Sequence, residues 1–135
     1  MIKKMKRVVA TTLLLGMVGN AGLANATTTN GTTAGGSLGK TGVSCTISIN
    51  GSSSTYSQAY LKIVTDNRVE KLGIKNINVV TKSGGGETGK KASQTNAYSS
   101  TFNGNTFAPG AIKSISAHFY VTSSNFGNFT KNMSY

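Results

Sequence analysis

Few residues in this chain are able to carry chemistry, and their spacing decides little for most of them. His118 is the single histidine, Cys45 the single cysteine, and Asp66, Glu70 and Glu87 are the three acids. A hydrolytic triad needs a nucleophile, a base and an orienting acid in mutual contact. His118, Asp66 and any of the many serines supply the residue types and nothing more. A catalytic Cys45 would have to draw on the same histidine. Asp66 and Glu70 would share a helix face as a carboxylate pair for glycoside hydrolysis, but they sit among Arg68, Lys71 and Lys75, which is the composition of a solvated charged turn. One histidine and one cysteine fall short of a zinc ligand set. No catalytic residue and no metal is therefore expected.

Two stretches approach the spacing of a phosphate-binding loop. Gly84, Gly89 and Lys90 are spaced correctly, but Lys91 stands where Ser or Thr must hold magnesium; Gly39-Lys40-Thr41 ends correctly, but Ala34 replaces the first glycine. Such a loop also needs a strand before it and a helix after it, so that the helix N-terminus faces the phosphates. Neither stretch has that setting, so no nucleotide and no cofactor is expected.

Aromatic residues beside bases are better candidates for a binding face. Tyr60 next to Lys62, and Tyr120 next to His118, fall on outward strand positions, where a phenol ring stacks on a sugar and a neighbouring cation draws phosphate. Lys82, Lys90 and Lys91 bracket a glycine-rich loop and make the one local concentration of positive charge visible in the sequence. The chain has no tryptophan, which argues against a strong carbohydrate platform.

The elements that must position these residues have a period of two. Val43, Cys45, Ile47 and Ile49 alternate with polar residues, and Ala59, Leu61 and Ile63 follow the same rule with Tyr60 and Lys62 outward. Cys45 is expected to be a small buried hydrophobe on the inward face. Ile77 and Val79 continue the pattern, and Val80 on the opposite face suggests packing on both sides. Asp66 to Gly73 fits either a short capped helix or a loop. Ser83 to Lys91 reads as a mobile loop, and Ser93 to Phe102 as a weak edge strand. The last strong strand is expected over Ile112 to Thr122, with Ile115, Ala117, Phe119 and Val121 inward; Phe126, Phe129 and Tyr135 suggest a final edge strand. The fold class that follows is all-β, a small antiparallel β-sandwich or partly open barrel of about five or six short strands.

Ahead of this domain the composition changes. Lys3, Lys4, Lys6 and Arg7 precede an 11-residue apolar stretch, Val8 to Val18, and Ala24-Asn25-Ala26 has the small–x–small form of a signal-peptidase site. A membrane-spanning helix needs about 20 apolar residues, so residues 1–26 are expected to be a cleaved, bacterial-type export signal rather than an anchor. Residues 27–42, rich in Thr and Gly, are expected to be a flexible arm, and residues 43–135 a single β domain. The formal charge of +11 falls to +7 once Lys3, Lys4, Lys6 and Arg7 are removed. A lone cysteine excludes an internal disulfide, so an exported chain of this size has to rely on packing.

The function expected from these features is a small secreted bacterial β-protein that binds the cell envelope non-covalently. Its partner would be a cell-wall polymer, an anionic lipid or a glycan. A bacteriocin-like antimicrobial is the alternative, and a secreted enzyme or enzyme inhibitor the second alternative. The oligomeric state is left open by the sequence.

Overall fold

The computed structural model describes residues 26–51 and 55–135. Residues 1–25, where the export signal is expected, and the serines of the turn after Asn50 lie outside the described residues. Regular structure among the described residues is entirely β: β1 (Thr27–Thr32), β2 (Gly42–Asn50), β3 (Ser57–Thr81), β4 (Gly86–Phe107), β5 (Ile112–Thr122) and β6 (Phe129–Ser134). All pairings are antiparallel. The all-β expectation holds, and β5 has the expected bounds.

The centre of the architecture is β3, a 25-residue strand. One edge of it pairs with β4 along nearly its whole length. Its other edge is shared end to end: β2 pairs along Gln58 to Thr65 and β5 along Lys71 to Thr81. The pairing of β3 with β4 slips between Val64 and Val69, and β4 carries Asn96 at φ 49° immediately beyond that slip, next to Ala97, the partner of Val69. Asn tolerates the left-handed region better than other non-glycine residues, so the turn in β4 is placed where the chain supplies one. The sheet folds over at this bend and wraps into a nearly closed barrel, with β1 outside β2 and β6 outside β5.

The inward row is the one the alternation predicts. Cys45, Ile47, Ala59, Leu61, Ile63, Leu72, Ile74, Ile77, Ile115 and Phe119 are fully buried in one cluster. Each large member contributes about 1.5–3 kcal/mol on leaving water. Burial also pushes the Cys45 thiol up to about 12, which keeps it protonated and poorly nucleophilic. Val80 departs from expectation. It is 40 % exposed, because β3 packs on one face only and Val79 takes the inward position.

Three local expectations are corrected. Asp66 to Gly73 is neither helix nor loop but the bend and second half of β3; the slip consumes extra residues there, so the alternation breaks while the strand continues. Ser83 to Lys91 is not a mobile loop: β4 begins at Gly86, and the tight turn before it is tied down by Thr81 N to Gly85 O (2.9 Å) and Lys82 N to Ala111 O (2.8 Å). The strands are also not all short, since β3 and β4 form one long hairpin.

Residues 27–42 are likewise not a flexible arm. Thr27–Thr32 pairs with β2 residue by residue, and residues 33–41 form an ordered loop against residues 123–128. Ala34 N donates to Asn128 O at 2.8 Å and Ser37 N to Ser124 O at 3.0 Å. Thr33 and Thr41 are buried; the Thr33 hydroxyl donates to Phe126 O and accepts from Thr41 N at 3.0 Å. Threonine and glycine here serve hydrogen bonding and close backbone approach, uses that composition does not reveal.

Glu70 anchors the same seam from β3. Its carboxylate accepts from the Ser123 and Ser124 hydroxyls and, at 2.8 Å, from Ser124 N. These bonds, the Ser123 hydroxyl first, hold its pKa down to about 2. A depressed carboxylate contributes above its unfolded value, and the contribution is lost as pH falls through the folded one. The Ser124 amide resonance is therefore expected to stay native-like from neutral pH down to about 3 and to move as pH falls through about 2. Glu70→Gln should show the acid position already at neutral pH. An unchanged Ser124 amide in that variant would contradict the anchoring role.

Candidate functional site

The second half of the sheet carries, outside the barrel, a surface groove lined by residues of β3, β4, β5 and β6. Its floor is made by the register of three strands: Gly73 of β3 lies between Tyr120 of β5 and Ser93 of β4. A Cβ at position 73 would stand 2.7 Å from the Tyr120 hydroxyl, 2.6 Å from Ala92 O and 2.8 Å from the Ser93 Cβ. The Tyr120 phenol thus crosses the sheet over a position that must be glycine and reaches toward β4. Aromatic cover of a sheet glycine restores packing that the missing side chain would give.

Cations surround this ring. The Lys75 Nζ lies 5.4 Å from the Tyr120 ring centroid, a cation–π contact of about 0.5–1 kcal/mol at an exposed site. Lys71 and Lys75 alternate with Gly73 on the outward side of β3, and Lys91 comes from β4. With His118, Tyr120 and Thr130 they line a groove of about 670 Å³. His118 is oriented from β6, since its Nδ1 donates to Asn132 Oδ1 at 2.6 Å. That partner is an amide rather than a carboxylate. The groove therefore presents ammonium groups, one phenol and one imidazole on a rigid sheet, which suits a polyanion or a phosphorylated sugar chain.

The sequence-derived candidates separate into two groups. Tyr120, His118 and Lys91 come together in this groove. Tyr60 and Lys62 lie on the first half of β3, between Ser48 and Thr46 of β2 and Asn103 and Thr101 of β4, away from the groove. Lys82 stands at the hairpin turn and Lys90 on β4 opposite Ile77. Lys71 and Lys75 were missed because they fall in and beside the stretch read as a charged turn. The signal available was the interval of two around Gly73, which places both lysines on one strand face with a gap for a ring between them.

The other chemistry-bearing residues are dispersed. Asp66 faces Gly42, where a Cβ would stand 2.4 Å from its Oδ2. Glu70 is engaged with Ser123 and Ser124, and Glu87 is buried with its carboxylate accepting from Asn105 N at 2.7 Å. No group of three or more His, Cys, Asp or Glu capable of holding a metal occurs among the described residues, and no helix there is long and apolar enough to cross a membrane. Comparison of the chain with protein-family models, with curated proteins and with solved structures finds no match.

Proposed function

We propose that the chain is an exported binding protein that attaches to an anionic polymer of the bacterial cell envelope through the Tyr120 groove. The observation that carries this reading is the Tyr120 ring laid over Gly73 with Lys71, Lys75 and Lys91 around it. Lysines on a fixed sheet draw a polyanion by charge, in a way that salt screens. The phenol adds a contact that salt does not screen, and this separates a shaped site from a merely basic surface. The export-type N-terminus and the net positive charge support the same reading.

The test is co-sedimentation of the purified protein with isolated Gram-positive walls at low and at high salt. Each lysine near an anionic surface contributes about 1 kcal/mol, so changing Lys71, Lys75 and Lys91 together to Gln is expected to weaken low-salt binding about 100-fold. Lys40, Lys82 and Lys113 changed together to Gln remove the same charge elsewhere and should cost far less. Tyr120→Ala should abolish whatever binding survives high salt. Equal losses in the two triple variants would reduce the site to net charge, and no binding by the wild type at either salt would overturn the reading.

A further inference from the structure

We propose that the outer edge of β4 is a self-association surface, on which a second copy of this chain pairs antiparallel about a two-fold axis at Thr101. Among the described residues, β4 is paired with β3 alone. A strand at a sheet edge presents a row of backbone donors and acceptors that templates another strand. At the opposite side of the barrel β1 is only six residues long and is met at Gly31 by the Phe129 ring, where a Cβ would stand 2.9 Å from Phe129 Cε2.

The edge of β4 is covered at two places and bare between them. Near the bend, the Arg68 Nη1 donates to Asn96 O at 2.6 Å and the guanidinium lies 4.6 Å from the Tyr98 ring centroid. Toward the far end, the buried Glu87 carboxylate accepts from Asn105 N. No hydrogen bond from outside β3 reaches the backbone of residues 99–103 among the described residues.

Charge selects the occupant. Natural edges are commonly protected by lysine or proline, yet residues 92–108 contain no charged residue and no proline. Two copies of a chain this basic repel one another over much of their surface, and pairing along this uncharged edge brings no like charges into direct opposition. A two-fold axis at Thr101 sets Ser99 of each copy opposite Asn103 of the other, a polar cross-strand ladder of the kind that stabilises antiparallel pairs. On the inward row it sets Phe102 opposite Ser100. Phe102 packs against the core yet stays half-buried at this edge, and the buried Ser100 hydroxyl has no hydrogen-bond partner. A second copy would cover the exposed part of Phe102.

The experiment is sedimentation equilibrium of the purified protein with three variants. Thr101→Glu places a carboxylate beside its own register neighbour Lys62, which supports the fold, but opposes two carboxylates across the axis. It is expected to raise the dimer dissociation constant at least about tenfold. Thr46→Glu flanks the same Lys62 from β2, carries the same charge away from the edge, and should leave the dimer unchanged. Thr101→Cys should form a disulfide between copies under mild oxidation, because an antiparallel pair brings the two Cα atoms within bridging range and the native Cys45 is buried. A wild type that stays monomeric up to about 1 mM, an assembly as tight in Thr101→Glu as in the wild type, or a Thr101→Cys that does not cross-link would each overturn the proposal.

Discussion

Phe119→Ala is expected to leave the chain largely unfolded without denaturant. Phe119 is fully buried and is the largest such side chain. It stands opposite Ile74 in the β3–β5 ladder, inside the barrel. Removing a buried Phe costs about 3–5 kcal/mol through lost transfer energy and the cavity left behind. Domains of this size have only about 5–15 kcal/mol in total, and no internal disulfide is possible with one cysteine to raise that figure. The core is also thin, so few neighbours are available to collapse into the void. Far-UV circular dichroism and urea titration check the prediction; Phe119→Leu should retain the fold with a lowered midpoint. A Phe119→Ala protein as stable as the wild type would mean that the inner face of β5 is not the core.

The second large effect is expected at the seam, from Gly127→Ala. Gly127 has φ +87°, and a Cβ there would lie 2.4 Å from Gly35 N and 2.7 Å from Gly35 C. Both obstacles are backbone, so neither can rotate away. The left-handed conformation costs a non-glycine residue about 1–2 kcal/mol, and the overlap adds about 1–3 kcal/mol. Gly84→Ala is the matched control, because Gly84 has φ +97° but nothing within 4 Å of its Cβ position. That variant should lose only the conformational part. The amides of residues 33–41 and 123–128 should shift in Gly127→Ala while those of β5 stay near their native positions. If both alanine variants lose the same stability, the close approach of the two loops carries no weight.

Periodicity made the barrel's inner wall legible, because burial on one face leaves a direct trace in a strand of alternating residues. Val43 to Ile47 and Ile115 to Val121 are read correctly for that reason, whereas the pattern ends at Ser48, which is buried although the alternation sets it outward. The long strands were legible only in part. Their bends use extra residues, as at Asp66 to Arg68, and a slip of register looks in the sequence like the end of an element. β1 was invisible for a different reason: TTTNGT has no apolar row, and its place in the sheet comes from hydrogen bonds to β2 rather than from burial. The groove shows the same division. Tyr120 and His118 announced themselves as outward residues on a clear strand. Lys71 and Lys75 became partners of Tyr120 only once β3 was known to pass straight through a segment whose charges suggested a turn.

The seam has a consequence for the order in which the molecule can form. The Thr33 hydroxyl and Phe126 O are 93 residues apart in the chain. Synthesis runs from the N-terminus, so β1 and its loop wait, with β2 in place, for a partner made 93 residues later. Contacts of such long sequence separation slow folding, since the closure entropy must be met before they give anything back. The barrel should therefore stay open until residues 123–128 and β6 are delivered, and then close in a single late step. A nascent chain truncated before residue 123 would remain sensitive to protease however long it waited, whereas the full chain would become resistant once β6 was free to dock.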